Sequence, residues 1–138
     1  MLFKETAIIQ LLGLTKIPIL FMCCPRVMEF VTRGCAIKIP LNRITKNHVG
    51  SMYLGVLSVG ADITSGLNAY MAIRERRSKV VPVFGSLHAD FLKRADGDVL
   101  FRCSQPCLVP VSPRSSRSTS SSVLYESKRS SFASPLTV

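Results

Sequence analysis

From Ser51 to Arg77 the chain runs with a single acid, Asp62, before Glu75, and with no base before Arg74. A segment that long is a helix, because strands rarely exceed about ten residues. Gly55, Gly60 and Gly66 lie within it, and each lowers intrinsic helicity by roughly 1 kcal/mol relative to alanine. A helix that keeps three glycines needs close approach to something. Arg74, Arg76 and Arg77 complement the negative C-terminal end of its dipole. A nearly uncharged helix of this length must be covered, so the rest of the chain is read for what covers it.

Residues 5–14 (ETAIIQLLGL) predict a short helix, with Thr6 as a candidate cap and Gly13 as a candidate terminator. Pro18 and Pro25 bracket a buried connector. Arg26 to Thr32 alternates polar and apolar, Arg33-Gly34 is a turn signal, and Cys35 to Leu41 alternates again. The pair predicts a β-hairpin with Pro40 at the strand end. Residues 42–50 are polar and loop-like. Lys79 to Arg94 predicts a long strand bent at Pro82 and Gly85, and Ala95-Asp96-Gly97-Asp98 predicts a hairpin turn into a returning strand, Val99 to Cys103. The order of elements predicts an α+β fold, an antiparallel sheet wrapped around one long central helix.

At 138 residues the chain suits one domain with one core, and its 47% hydrophobic and 19% charged residues suit a folded chain. The net charge of +10 is spread along the sequence without a dense basic block. With no Trp and three Tyr, the basic residues lack the aromatic interleaving of a nucleic-acid stacking platform, which argues against nucleic acid as partner. A solvated basic surface and a rim for a phosphorylated ligand both fit. The five cysteines, Cys23, Cys24, Cys35, Cys103 and Cys107, are odd in number and irregularly spaced. They read as the reduced thiols of a cytoplasmic protein, with no metal site expected. Lys4, Glu5, Lys16 and Pro18 interrupt the apolar N-terminal stretch. It is too short and too broken for an integral membrane segment and fits poorly as a secretory signal; an amphipathic helix lying over the domain is expected.

Residues 112–138 contain 11 serines with scattered Arg and Pro. Two regions follow: 1–105 as the folded domain and 106–138 as a Ser-rich, atypical or disordered tail. The abrupt bias resembles an out-of-frame translation, which translating the other two forward frames past codon 105 would test.

The stretch Asn47 to Asp62, N-H-V-G-S-M-Y-L-G-V-L-S-V-G-A-D, is similar to the signature of phenylacetyl-CoA-type hotdog thioesterases. In those an Asn, a Gly three later and a His-Gly-Gly three further on start the central helix, and a carboxylate follows seven residues after the last Gly. Asn47, Gly50, Gly55 and Asp62 hold those places. Tyr53 stands where the family has His, and Leu54 where it has the first Gly; His48 is five positions too early to replace that His. The phrases NHVGSMY and HADFLKRADGDV resemble an uncharacterised subfamily of hotdog proteins. The resemblance covers residues 1–105. It implies a hotdog fold with a further long strand after Val99–Cys103, for which the Ser-rich tail offers no good candidate, so the sheet is expected to be incomplete.

The resemblance implies acyl-CoA as substrate or ligand, no cofactor, and a homodimer or tetramer in which sites form where subunits meet. A helix N-terminus carries free N–H groups and partial positive charge that stabilise an oxyanion. Gly55 permits close approach, and Asp62, seven residues on, lies on the same face. A carboxylate on a nearly apolar helix has a raised pKa if buried, and serves as base or nucleophile. The candidate catalytic residues are thus Asp62, Asn47, Gly55 and Tyr53; the candidate substrate-binding residues are Gly50, Ser51, His48 and Ser65. Each has a plainer reading: Asp62 as a partner for buried N–H groups, Asn47 as a cap, the glycines as packing sites, Tyr53 as a core aromatic. The leading expectation is an acyl-CoA thioesterase. The alternatives are a non-catalytic acyl-CoA or lipid-binding hotdog protein, or an inactive truncated copy.

Overall fold

The computed structural model describes residues 3–31, 34–75, 77, 88–91, 93–103, 122–127 and 133–137. Helices α1 (Phe3–Thr15) and α2 (Pro18–Cys23) lead into β1 (Arg26–Val31) and β2 (Gly34–Ile39). The long helix α3 (Leu54–Glu75) follows, then β3 (His88–Ala89), β4 (Val99–Cys103), β5 (Ser122–Ser127) and β6 (Ala133–Thr137). The strands form one antiparallel sheet in the order β1-β2-β4-β5-β6-β3. The α+β class, the hairpin of β1 and β2, and the long helix agree with the sequence reading.

The core is a layer of alternating strand residues under α3. Cys35, Ile37 and Ile39 of β2 and Val99, Phe101 and Cys103 of β4 are buried, in register across the ladder. Val56, Leu57 and Ala61 of α3 close over them. Gly60 is the contact point: a Cβ there would lie 2.3 Å from the Phe101 ring, so this glycine lets helix and sheet meet. Strand β1 carries a register shift between Val27 and Glu29. The extra residue turns both Met28 and Glu29 outward, which breaks the alternation read from the sequence.

Four local expectations change. Thr6 lies inside α1 rather than capping it; its hydroxyl accepts the Val27 N–H at 3.0 Å, occupying a donor of edge strand β1. Gly13 does not end α1. A Cβ there would lie 2.6 Å from the Phe21 backbone nitrogen, so it admits α2. The connector between Pro18 and Pro25 is helical and only partly buried, with Leu20 and Cys23 inside and Ile19 and Met22 outside. Residues 95–98 do not join β3 to β4 as a tight hairpin, because β3 pairs with β6. Instead the segment docks on the loop after β2. The Asp98 carboxylate accepts the Leu41 N–H at 3.0 Å and pairs with Lys38 at 2.9 Å. Most of the predicted strand Lys79–Arg94 lies outside the described residues.

The expectation of a sheet without a closing strand is also corrected. Strand β5 pairs with β4 from Val99↔Ser127 to Cys103↔Val123, and β6 pairs with β5. No alternating apolar run marks β5 in the sequence. A strand is held by main-chain N–H and C=O groups, which Ser122, Glu126 and Ser127 supply as well as any residue.

Candidate functional site

The site is built on the loop that carries β2 into α3. Two asparagine-centred turns shape it. In the first, Asn42 Oδ1 accepts the N–H groups of Ile44 and Thr45 at 2.8 and 3.0 Å. The buried Thr45 hydroxyl donates to the Pro40 carbonyl and accepts the Asn42 N–H, each at 2.8 Å. In the second, Asn47 Oδ1 accepts the N–H groups of Val49 and Ser51, both at 3.1 Å, and its Nδ2 donates to Ser51 Oγ at 3.0 Å. Gly50, at φ +81°, closes this turn and donates its N–H to the Asn47 carbonyl; only glycine adopts that conformation without strain.

The chain then enters the helix under tight control. Met52 N–H donates to the Ala95 carbonyl and Tyr53 N–H to the Thr45 carbonyl, both at 2.8 Å. The Arg94 guanidinium donates to the Val49 carbonyl and pairs with Asp96. Tyr53 is the residue before α3, and its carbonyl accepts the Val56 and Leu57 N–H groups at 2.9 and 3.1 Å. A Ser, Thr, Asp or Asn here would place a side-chain oxygen over the first-turn N–H groups. Tyrosine has no such short acceptor, so the first donors of α3, those of Leu54 and Gly55, depend on what arrives from outside. The tyrosine ring instead lies against Gly55: a Cβ there would sit 2.6 Å from Tyr53 Cε1. Gly55 thus makes room for Tyr53, which is itself exposed.

Along α3 the outward stripe runs from Leu54 through Ser58 to Asp62, spaced four residues apart. Asp62 is exposed, yet the apolar helix around it desolvates its carboxyl group and raises its pKa above the ordinary carboxylate value. Among the described residues no cation or hydrogen-bond donor meets that carboxylate. Asn47, Gly50, Ser51, Tyr53 and Gly55 therefore gather at the helix start, with His48 exposed on the same turn. Asp62 stands two turns down the same stripe. Ser65 is elsewhere: it is buried, and its hydroxyl donates to the Ala61 carbonyl at 2.8 Å.

Asn42, Thr45, Arg94 and the Ala95 carbonyl were not anticipated. An N-x-x-T pattern at 42–45 was the available signal for the first turn. Of the cysteines, Cys23, Cys24, Cys35 and Cys103 are in the reduced form, and Cys107 lies outside the described residues.

Neither protein-family models nor curated proteins match the sequence. Solved structures do. The chain is similar to a provisionally designated thioesterase from Shewanella oneidensis, at 12% identity and TM-score 0.76, covering 99% of this chain and 96% of that one. It is similar to zebrafish thioesterase superfamily member 2, at 12% identity and TM-score 0.72, over 96% and 91% of the two chains. A Staphylococcus aureus thioesterase matches at 13% identity and TM-score 0.70, over 87% and 93%. At such identities the likeness is one of fold: the chain has the hotdog fold.

Proposed function

We propose that this chain is an acyl-CoA thioesterase working as a homodimer, with Asp62 as its working carboxylate. The observation that carries the reading is the partly desolvated Asp62 carboxylate, without a partner among the described residues, on the stripe that begins at the start of α3. As a base, Asp62 takes a proton from water as the hydroxyl adds to the thioester carbon. The oxyanion so formed is stabilised by N–H donors at a helix start. Collapse breaks the C–S bond, and the proton returns from Asp62 to the departing thiolate. As a nucleophile, Asp62 instead forms an acyl anhydride that water then opens. The named thioesterases among the structural neighbours support the class of reaction. Arg43 and Lys46, exposed on the loop before the helix, suit the phosphates of coenzyme A. Reduced cysteines are in keeping with the cytoplasm.

Distance supports the homodimer. Seven residues of α-helix span about 10 Å, so Asp62 cannot reach a carbonyl held at Gly55 of its own helix. A second copy, with its helix start near this Asp62, brings the two groups to one thioester carbon.

The test is thiol release from a panel of acyl-CoA esters by the purified protein and its Asp62→Ala variant. A working base or nucleophile predicts a loss of roughly 100- to 10,000-fold in kcat, with an unchanged circular dichroism spectrum. Full activity in the variant removes Asp62 from the chemistry. A second reading, an acyl-CoA-binding protein without turnover, is favoured by Tyr53 standing where the resembled family has His and lying against Gly55. Saturable acyl-CoA binding with no thiol released would establish it.

A further inference from the structure

The α1–α2 hairpin is apolar on both sides. Its inner side packs through Ile9 and Leu20 onto Val27, Ile37 and Ile63. Its outer side bears Phe3, Ile8, Leu11, Leu14, Phe21 and Met22, each between 45% and 77% exposed. Scattered exposed apolar residues are ordinary, but these are not scattered. Phe3, Ala7, Leu11 and Leu14 recur every three or four residues, which makes one continuous stripe beside the face of the buried Thr6, Ile9 and Gly13. The close contact at Gly13 sets α2, whose Phe21 and Met22 are exposed, against α1. A continuous apolar face of this kind is a surface for something to cover.

The surrounding charge selects the cover. Lys4 and Lys16 lie near the two ends of α1 and Arg26 follows α2, all exposed, against a single acid, Glu5, which is half-buried. A second copy docking on this face would set Lys4 and Lys16 against like charges. An anionic lipid headgroup layer attracts the same cations, while the apolar side chains enter the acyl boundary beneath it. No helix among the described residues is long and apolar enough to cross a membrane; α1, with 13 residues, spans only about 20 Å and lies in the interface.

We infer that the outer face of α1 and α2 is a docking surface for anionic phospholipid bilayers, independent of any thioester chemistry. The probe is a sedimentation assay of the full chain with vesicles of phosphatidylcholine alone or phosphatidylcholine mixed with phosphatidylglycerol. The chain is expected to sediment with the anionic vesicles, and less so as salt rises. The double substitution Ile8→Glu and Leu11→Glu, at exposed positions, is expected to weaken binding at least tenfold on the loss of apolar burial alone. Lys4→Glu and Lys16→Glu are each expected to weaken it by roughly fivefold or more on anionic vesicles. Because the chain has no Trp, Leu11→Trp adds a single fluorescent reporter, whose emission should shift to the blue only when anionic vesicles are present. Failure to bind either vesicle, undiminished binding by the glutamate variant, or an unshifted Leu11→Trp spectrum each overturns the proposal. So does a concentration-dependent dimer that the glutamate variant abolishes while vesicles leave the wild type in solution, which assigns the face to a second copy.

Discussion

Gly60 is the position where the helix-on-sheet packing makes its sharpest demand. An added Cβ would lie 2.3, 2.4 and 2.7 Å from Cζ, Cε2 and Cε1 of Phe101, against a comfortable carbon–carbon separation of about 3.5–4.0 Å. The ring cannot swing into solvent, because Phe101 is fully buried between α3 and its neighbours on β2 and β4. Overpacking of this kind costs up to about 3 kcal/mol. Alanine returns about 1 kcal/mol through its helix propensity, so Gly60→Ala should lose about 2 kcal/mol. For a chain of this size that lowers Tm by roughly 5–10 °C, read from thermal melts followed by circular dichroism. The cause is checked with Phe101→Leu, which removes the atoms that clash. The double variant should be more stable than the sum of the two single losses predicts. If Gly60→Ala raises Tm, as alanine does in an uncrowded helix, the glycine is not pressed against Phe101 and this account of how α3 meets the sheet is wrong.

Other substitutions probe separate joints. Thr6→Val keeps the shape of the side chain but leaves the Val27 N–H without its acceptor, and should destabilise the protein by about 1–3 kcal/mol in urea titration. Asp62→Asn should raise Tm at neutral pH. Burial raises the carboxyl pKa in the folded state, so folding favours the protonated form and wild-type stability falls as pH rises from the ordinary carboxylate value through the raised one. The gain should therefore vanish in acid, and an equal gain at all pH values would show that the charge is not its source. Among the four described cysteines, only Cys24 is exposed, and the Cys35 thiol is pushed up to about 12 by burial and by Cys103 beside it. Brief alkylation of the native protein followed by peptide mapping should label Cys24 first; early labelling of Cys35 would contradict the packing of β2 against β4.

The parts of the fold legible in the sequence are those whose side chains report their own environment. The long uncharged run marked α3, and the alternation of Cys35, Ile37 and Ile39 marked a strand with one buried face. Elements fixed by the main chain were silent. Strand β5 pairs through backbone groups in a serine-rich stretch, and the role of Ala95 rests on its carbonyl alone. Thr6 misled for a related reason: a threonine near a helix start usually turns its hydroxyl to its own helix, and here it serves a strand 21 residues away.

The candidate site divides in the same way. The structure gathers Asn47, Gly50 and Ser51 into one turn, which local rules describe because a turn is a local object. The amide of Asn47 is consumed in that turn, so its part in any chemistry is to hold the helix start in place. For Asp62 the spacing rule gave direction without distance. Two turns along a helix return a side chain to the same face, yet carry it about 10 Å from where it began. Even with the lean of helical side chains toward the N-terminus, its carboxylate stays well beyond the separation of about 3 Å that attack on a bound carbonyl requires. Within one chain the start of α3 and the Asp62 carboxylate therefore stand too far apart to meet one substrate atom. The proposed hydrolysis thus draws its helix start and its carboxylate from two chains.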